Sequence, residues 1–98
     1  MSQIIREVDP ASLRLPGSRA GGADLWKLHQ QIRKYGSSKT GMPPIFVYQD
    51  PDGALEVMDG VTRATRIAKL NPGETVPVVV IGYYRKTWAG SLRIGDRL

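Results

Sequence analysis

The stretch of residues 58–70, MDGVTRATRIAKL, holds the side chains best spaced for chemistry. An apolar run ends at Asp59-Gly60 and a segment free of Gly and Pro follows at once, which predicts a strand passing directly into a helix. The first amides of such a helix lack intrahelical partners and carry the positive end of the helix dipole, so they suit phosphate or carboxylate. Gly60 lets an anion come close to the backbone. Arg63 and Arg66 lie three residues apart and Thr62 and Arg66 four, so all three can converge on one anion. The planar fork of arginine matches phosphate well. Asp59, beside them, is placed to hold Mg²⁺ or to act as a base. The same pattern also has a purely structural reading, in which Asp59 caps the helix and the two arginines form a solvated face opposite Val61, Ala64 and Ala68.

Other segments offer less. Ser18 and Arg19 sit among Pro16, Gly17, Gly21 and Gly22, where backbone amides either face a ligand or belong to an ordinary surface connection. The basic loop at 36–44, with Lys39, is either a ligand flap or merely a loop. Residues 83–88, YYRKTW, interleave rings with positive charge as single-strand nucleic-acid binders do, although aromatics covering a core edge give the same string. Asp50 and Asp52 flank Pro51 in a turn that wants aspartate for conformational reasons. His29 reads as a half-buried packing residue of a helix. Ser37 and Ser38 have no base beside them in sequence, so nothing supports a serine hydrolase.

Composition narrows the field. The chain has 98 residues, no cysteine, one histidine and seven aromatics. Thiol nucleophiles, iron–sulfur clusters, Cys-ligated zinc and a multi-histidine metal site within one chain are excluded. Lys and Arg number 14 against 9 Asp and Glu, and the resulting +5 favours polyanionic partners. The longest apolar stretch, 76–81, is interrupted by Pro77 and far short of the ~20 residues a membrane span needs. No signal-peptide pattern is visible, which makes a cytoplasmic location the expectation. Export by a dedicated secretion system would leave no such mark.

The elements that must position these residues can be read in order. Strands are expected at 4–8, 45–49, 54–58 and 75–81, and helices at 24–35 and 61–70. Leu25, Leu28, Ile32 and Tyr35 form one face of the first helix, with Asp24 at its start and Gly36 at its stop. The strand at 75–81 reads as buried on both faces apart from its Pro77 end. The DPDG turn at 50–53 joins a hairpin. The expected fold is therefore α+β, a small mixed sheet with two main helices. A single domain spans 1–98, with its core at about 4–81 and the remainder a tail or an added strand near 92–94.

Order and motifs together resemble the N-terminal domain shared by ParB-type partition proteins and sulfiredoxins. The resemblance covers roughly residues 4–81. It rests on the loop at 14–19, the helix at 24–35, the segment MPPIFV (42–47), the hairpin, the Gly60-x-x-Arg63 turn opening a helix, and the closing VPVVV strand. It implies binding of a nucleotide or other phosphate group at that turn, with Gly60, Arg63, Arg19, Pro44 and Ile45 at matching positions. A nucleoside triphosphate is the cofactor it implies, with Mg²⁺ expected beside it from the position of Asp59. Stand-alone domains of this type are associated with nuclease activity, nucleotide hydrolysis and toxin modules of secreted bacterial proteins, which implies an immunity or partner protein. In such an enzyme Asp59 and Arg63 would be catalytic; the alternative is a non-catalytic module binding nucleotide, DNA or protein. Two departures limit the carry-over. Val61 stands where sulfiredoxins have their catalytic cysteine, so sulfinic-acid reduction is excluded. Val61 and Thr62 also replace the Glu and first Arg of the partition proteins' Gly-Glu-Arg-Arg.

Overall fold

The computed structural model describes residues 5–87 and 91–98, so Ile4 and Trp88 of the segments above lie outside the described residues. Four strands and two helices occur in the order β1 (Ile5–Val8), α1 (Leu25–Tyr35), β2 (Ile45–Gln49), β3 (Leu55–Asp59), α2 (Val61–Leu70) and β4 (Val76–Tyr83). The fold is a small α+β domain. Its mixed sheet has the strand order β1-β4-β2-β3. Strands β2 and β3 form the antiparallel hairpin expected at the DPDG turn. Asp50 organises that turn, its Oδ1 accepting from the amides of Asp52 and Ala54, both at 2.9 Å.

Strand β4 pairs parallel to β2, with Ile45 opposite Val78, and antiparallel to β1. A parallel neighbour cannot be reached through a tight turn, so the chain must cross over the sheet, and α2 is that crossover. Ala64, Ile67 and Ala68 of α2 meet Ile45, Val47, Val57, Val76 and Val78 of the sheet in one core. The valine-rich β4 supplies stiff side chains that pack well on a pleated surface. Its far end departs from the sequence expectation: Ile81 is exposed, at the point where a register shift between Val47 and Tyr48 leaves it out of the pairing with β2.

Two further departures concern the helix α1 and the C-terminal segment. Asp24 caps α1 as expected, its Oδ1 accepting from the Lys27 amide at 3.1 Å. Of the four apolar residues on its predicted buried face, however, only Leu28 is fully buried, and Leu25 is 68% exposed. The reason is that α1 packs chiefly on α2, so only a narrow line of side chains meets a partner. His29 is exposed as well. In the C-terminal segment the strand expected near 92–94 is reduced to a single antiparallel bridge, Arg93 to Arg14. A 3₁₀ turn follows at Ile94–Arg97.

That segment belongs to the core. Leu13, Leu15 and Ile94 are buried in the same cluster as the sheet residues, so the core extends well beyond residue 81. Arg14 donates its amide to Leu55 O (2.7 Å) and accepts from Val57 N (3.0 Å), while Leu15 N and Ile94 N bond Leu92 O and Leu13 O, each at 2.8 Å. The two bonds of Arg14 cover the outer edge of β3, which would otherwise present unpaired backbone groups to any passing strand, and the other two tie the C-terminal segment to residues 13–15.

Glu56 of β3 is buried and hydrogen-bonded by the Tyr84 hydroxyl. Burial pushes its carboxyl above the ordinary carboxylate range, and the Tyr84 bond opposes that shift only in part. The folded state therefore holds this proton to higher pH than the unfolded chain does. Stability is lost as pH rises from the ordinary carboxylate range through the raised value. Equilibrium urea unfolding of wild type and Glu56→Gln across that range should show wild type losing stability relative to the variant as pH rises. Parallel pH profiles would contradict the assignment. Ile67→Ala, which empties a fully buried position of α2, should cost about 2–5 kcal/mol in the same measurement with an unchanged slope.

Candidate functional site

The joint between β3 and α2 is made by one residue. Gly60 has φ 112° and ψ 21°, in the left-handed region open to glycine, and it is the N-cap of α2 with no side chain to satisfy the helix amides. A Cβ built at Gly60 would lie 2.8 Å from Ile45 Cδ1 and 2.9 Å from Arg63 Nη2. The strand can therefore end and the helix begin without an intervening loop. Asp59 does not cap the helix; its side chain is largely exposed, with Oδ2 3.8 Å from Arg63 Nη2. Such an open pair is weak in water.

The start of α2 forms one wall of a cleft of about 290 Å³. Asp59, Gly60, Thr62 and Arg63 come from the joint, and Ser18 and Arg19 from the 3₁₀ turn Gly17–Arg19 on the opposite side. Six of the seven residues singled out from sequence thus share one cavity, although Arg19 and Asp59 stand 40 positions apart in the chain. Lys27 and Gln31 of α1 complete the wall. Sequence reasoning missed them, although their spacing of four residues already put them on one helix face. Arg19 and Lys27 make no ion pair among the described residues.

Arg66 is the seventh, and it is elsewhere. Its residue is 2% exposed, and Nη1 donates to Gly36 O and Ser38 O, both at 2.8 Å. Its guanidinium carbon lies 5.4 Å from the centroid of the Tyr35 ring. Burial lowers its pKa from the ordinary arginine value, and Tyr35 opposes that shift. Neither convergence with Thr62 nor a solvated face describes it. Residue 66 is on the flank of α2 that faces α1 and the loop after it, where the end of α1 leaves carbonyls needing donors.

Arg66 lines a second cleft, of about 230 Å³, with Tyr35, Thr40 and Met42. Gln31 and Arg63 line both clefts and so form the partition between them. Arg63 is braced there by its Nη2 donating to Pro44 O at 3.1 Å. Among the described residues, three buried side-chain polar atoms have no hydrogen-bond partner: Gln31 Oε1, Arg63 Nε and Arg66 Nε. Those of Gln31 and Arg63 belong to this partition, and that of Arg66 lies on the wall of the second cleft beside it. Buried polar groups are normally paired, so their convergence marks the place where the interior is least satisfied.

Fold and site together define a small α+β domain with an unblocked helix start facing a cationic cleft. No protein-family model matches the chain, and no curated protein matches it in sequence. Among the described residues no group of three or more His, Asp or Glu side chains is placed to hold a metal ion. No helix in them is long and apolar enough to cross a membrane.

The Gly60 joint gives a direct test of this geometry. Gly60→Ala should lower stability by at least about 1–3 kcal/mol, since alanine meets both a strained backbone and the Ile45 side chain. Thermal unfolding by circular dichroism reads this, and an unchanged midpoint would show that the joint tolerates a side chain.

Proposed function

We propose that the protein binds phosphate groups of a nucleotide or nucleic acid in the cleft at the start of α2. The observation that carries this reading is the meeting of Ser18 and Arg19 with Gly60, Thr62 and Arg63 around the unblocked helix start. Helix amides and dipole supply an anion site, and Arg19, Lys27 and Arg63 supply charge. Thr62 adds a hydroxyl. The resemblance to ParB and sulfiredoxin-type domains points to the same turn, and a nucleoside triphosphate is the ligand it favours, with Mg²⁺ expected beside it from the position of Asp59. On this reading Arg66 serves the site indirectly, by fixing the loop after α1 beside Gln31.

A hydrolytic role, as a nuclease or nucleotide hydrolase of the toxin type, would rest on Asp59 as metal ligand or base and on Arg63 neutralising phosphate charge. Asp59 is the acid in the cleft, exposed and close to Arg63. Its charge opposes anion binding when no metal is bound.

Isothermal titration with pyrophosphate and with each nucleoside triphosphate tests the binding reading. Arg63→Ala should weaken binding about tenfold or more, the usual effect of losing a charge-assisted hydrogen bond. Retained folding is read from the far-ultraviolet spectrum, and an unchanged affinity would remove the anion site. Asp59→Asn separates the two roles. It should raise pyrophosphate affinity without metal, and abolish any Mg²⁺-dependent cleavage of nucleic acid or nucleotide. If wild type cleaves neither with Mg²⁺ nor with Mn²⁺, the hydrolytic role falls and the binding role stands.

A further inference from the structure

The aromatic and basic end of β4 is used neither by the core nor by the phosphate cleft. Tyr83 closes the strand and is 72% exposed. Tyr84 follows it and is held from several sides: its amide donates to Gln49 O at 2.8 Å, its hydroxyl bonds Glu56 and lies 3.6 Å from Met58 Sδ. Its ring centroid is 5.0 Å from that of Tyr48. The Tyr48 ring in turn lies across the backbone of Gly82, where a Cβ would come within 2.9 Å of it. Successive residues of a strand face opposite sides. A fixed pair of rings therefore stands on one side of the strand end and a free ring on the other.

Positive charge surrounds these rings. Arg85 and Lys86 are exposed just past the strand, and with Tyr84 and Thr87 they border a shallow, open cleft. Residues 76–87 contain no acid. In the neighbouring hairpin Asp50 and Glu56 are buried, which leaves Asp52 as the exposed acid of that turn.

We propose that this strand end binds single-stranded nucleic acid, with bases stacking on Tyr83 and against Tyr84 and backbone phosphates on Arg85 and Lys86. The chemistry selects the occupant. Every base has a π face, and alternating rings and cations match the alternation of base and phosphate. A duplex keeps its base faces inside the stack, so it can use the cations but not the exposed tyrosine. An acidic peptide has the same limitation. The surface is separate from the phosphate cleft, and Met58 connects them, lining that cleft while touching Tyr84.

Fluorescence anisotropy of a labelled oligothymidylate of about 15 nucleotides, beside a duplex of equal length and an oligoglutamate competitor, tests the proposal. The single strand should bind more tightly than the duplex. Tyr83→Ala should weaken it at least about fivefold, the smaller end of the effect of removing one stacking ring. The double variant Arg85→Gln, Lys86→Gln should reduce the salt dependence by the equivalent of about two phosphate contacts. All three residues are exposed, so the variants should fold. Tyr83→Ala should leave pyrophosphate binding unchanged, which separates this surface from the cleft. Equal affinity for the duplex, full competition by oligoglutamate, or an unaltered Tyr83→Ala affinity would each overturn the proposal.

Discussion

The left-handed backbone at Gly60 is the constraint from which the rest follows. A strand that turns straight into a helix needs a residue with no Cβ, because Ile45 and the Arg63 guanidinium already occupy the space beside it. With glycine there, β3 ends at Asp59 and α2 begins at Val61. The helix axis then crosses the sheet toward β4, as the parallel pairing of β2 and β4 requires. The same turn keeps the first helix amides clear of any capping side chain. Chain reversal and the uncapped helix start have one cause.

Arginine does two unlike things on the single helix that follows. Arg63, one turn in, folds back against Pro44 O and stays at the rim of the cleft, within reach of Asp59. Arg66, three residues on, lines only the second cleft and is buried against the carbonyls of Gly36 and Ser38. A buried cation costs much to desolvate, and it is tolerated where a helix end offers acceptors that would otherwise lack donors. Fixing the loop after α1 in this way also fixes Tyr35 and leaves Gln31 between the two clefts. The hairpin edge shows a parallel economy of parts, since the segment around Arg14 both pairs with β3 and brings Leu13 and Leu15 into the core.

Much of the fold was legible because its signals are local. The DPDG turn, the valine run of β4, Asp24 before α1 and the Gly60 start of α2 each act within a few residues, and each lies where the sequence puts it. The failures share the opposite property. Leu25 has the spacing of a buried residue, but no partner stands opposite that part of α1. Ile94 and Leu13 look like residues of connecting segments, and they are buried only because those segments pack on α2 and on each other.

The site divides along the same line. Residue type and spacing alone indicate that Gly60, Thr62 and Arg63 open a helix and that Arg19 and Ser18 sit in a turn rich in Gly and Pro. They also exclude thiol chemistry outright, since no packing can supply a cysteine the chain lacks. Tertiary structure decided which of these residues meet: it brought Ser18, Arg19, Lys27 and Gln31 to the start of α2 and sent Arg66 away from it. Local backbone geometry depends on a few neighbouring side chains and is written in their order. Which helix flank faces a cleft depends on the rotation of α2 against α1 and the sheet, and that rotation is set by the packing of Ala64, Ile67 and Ala68 in the shared core.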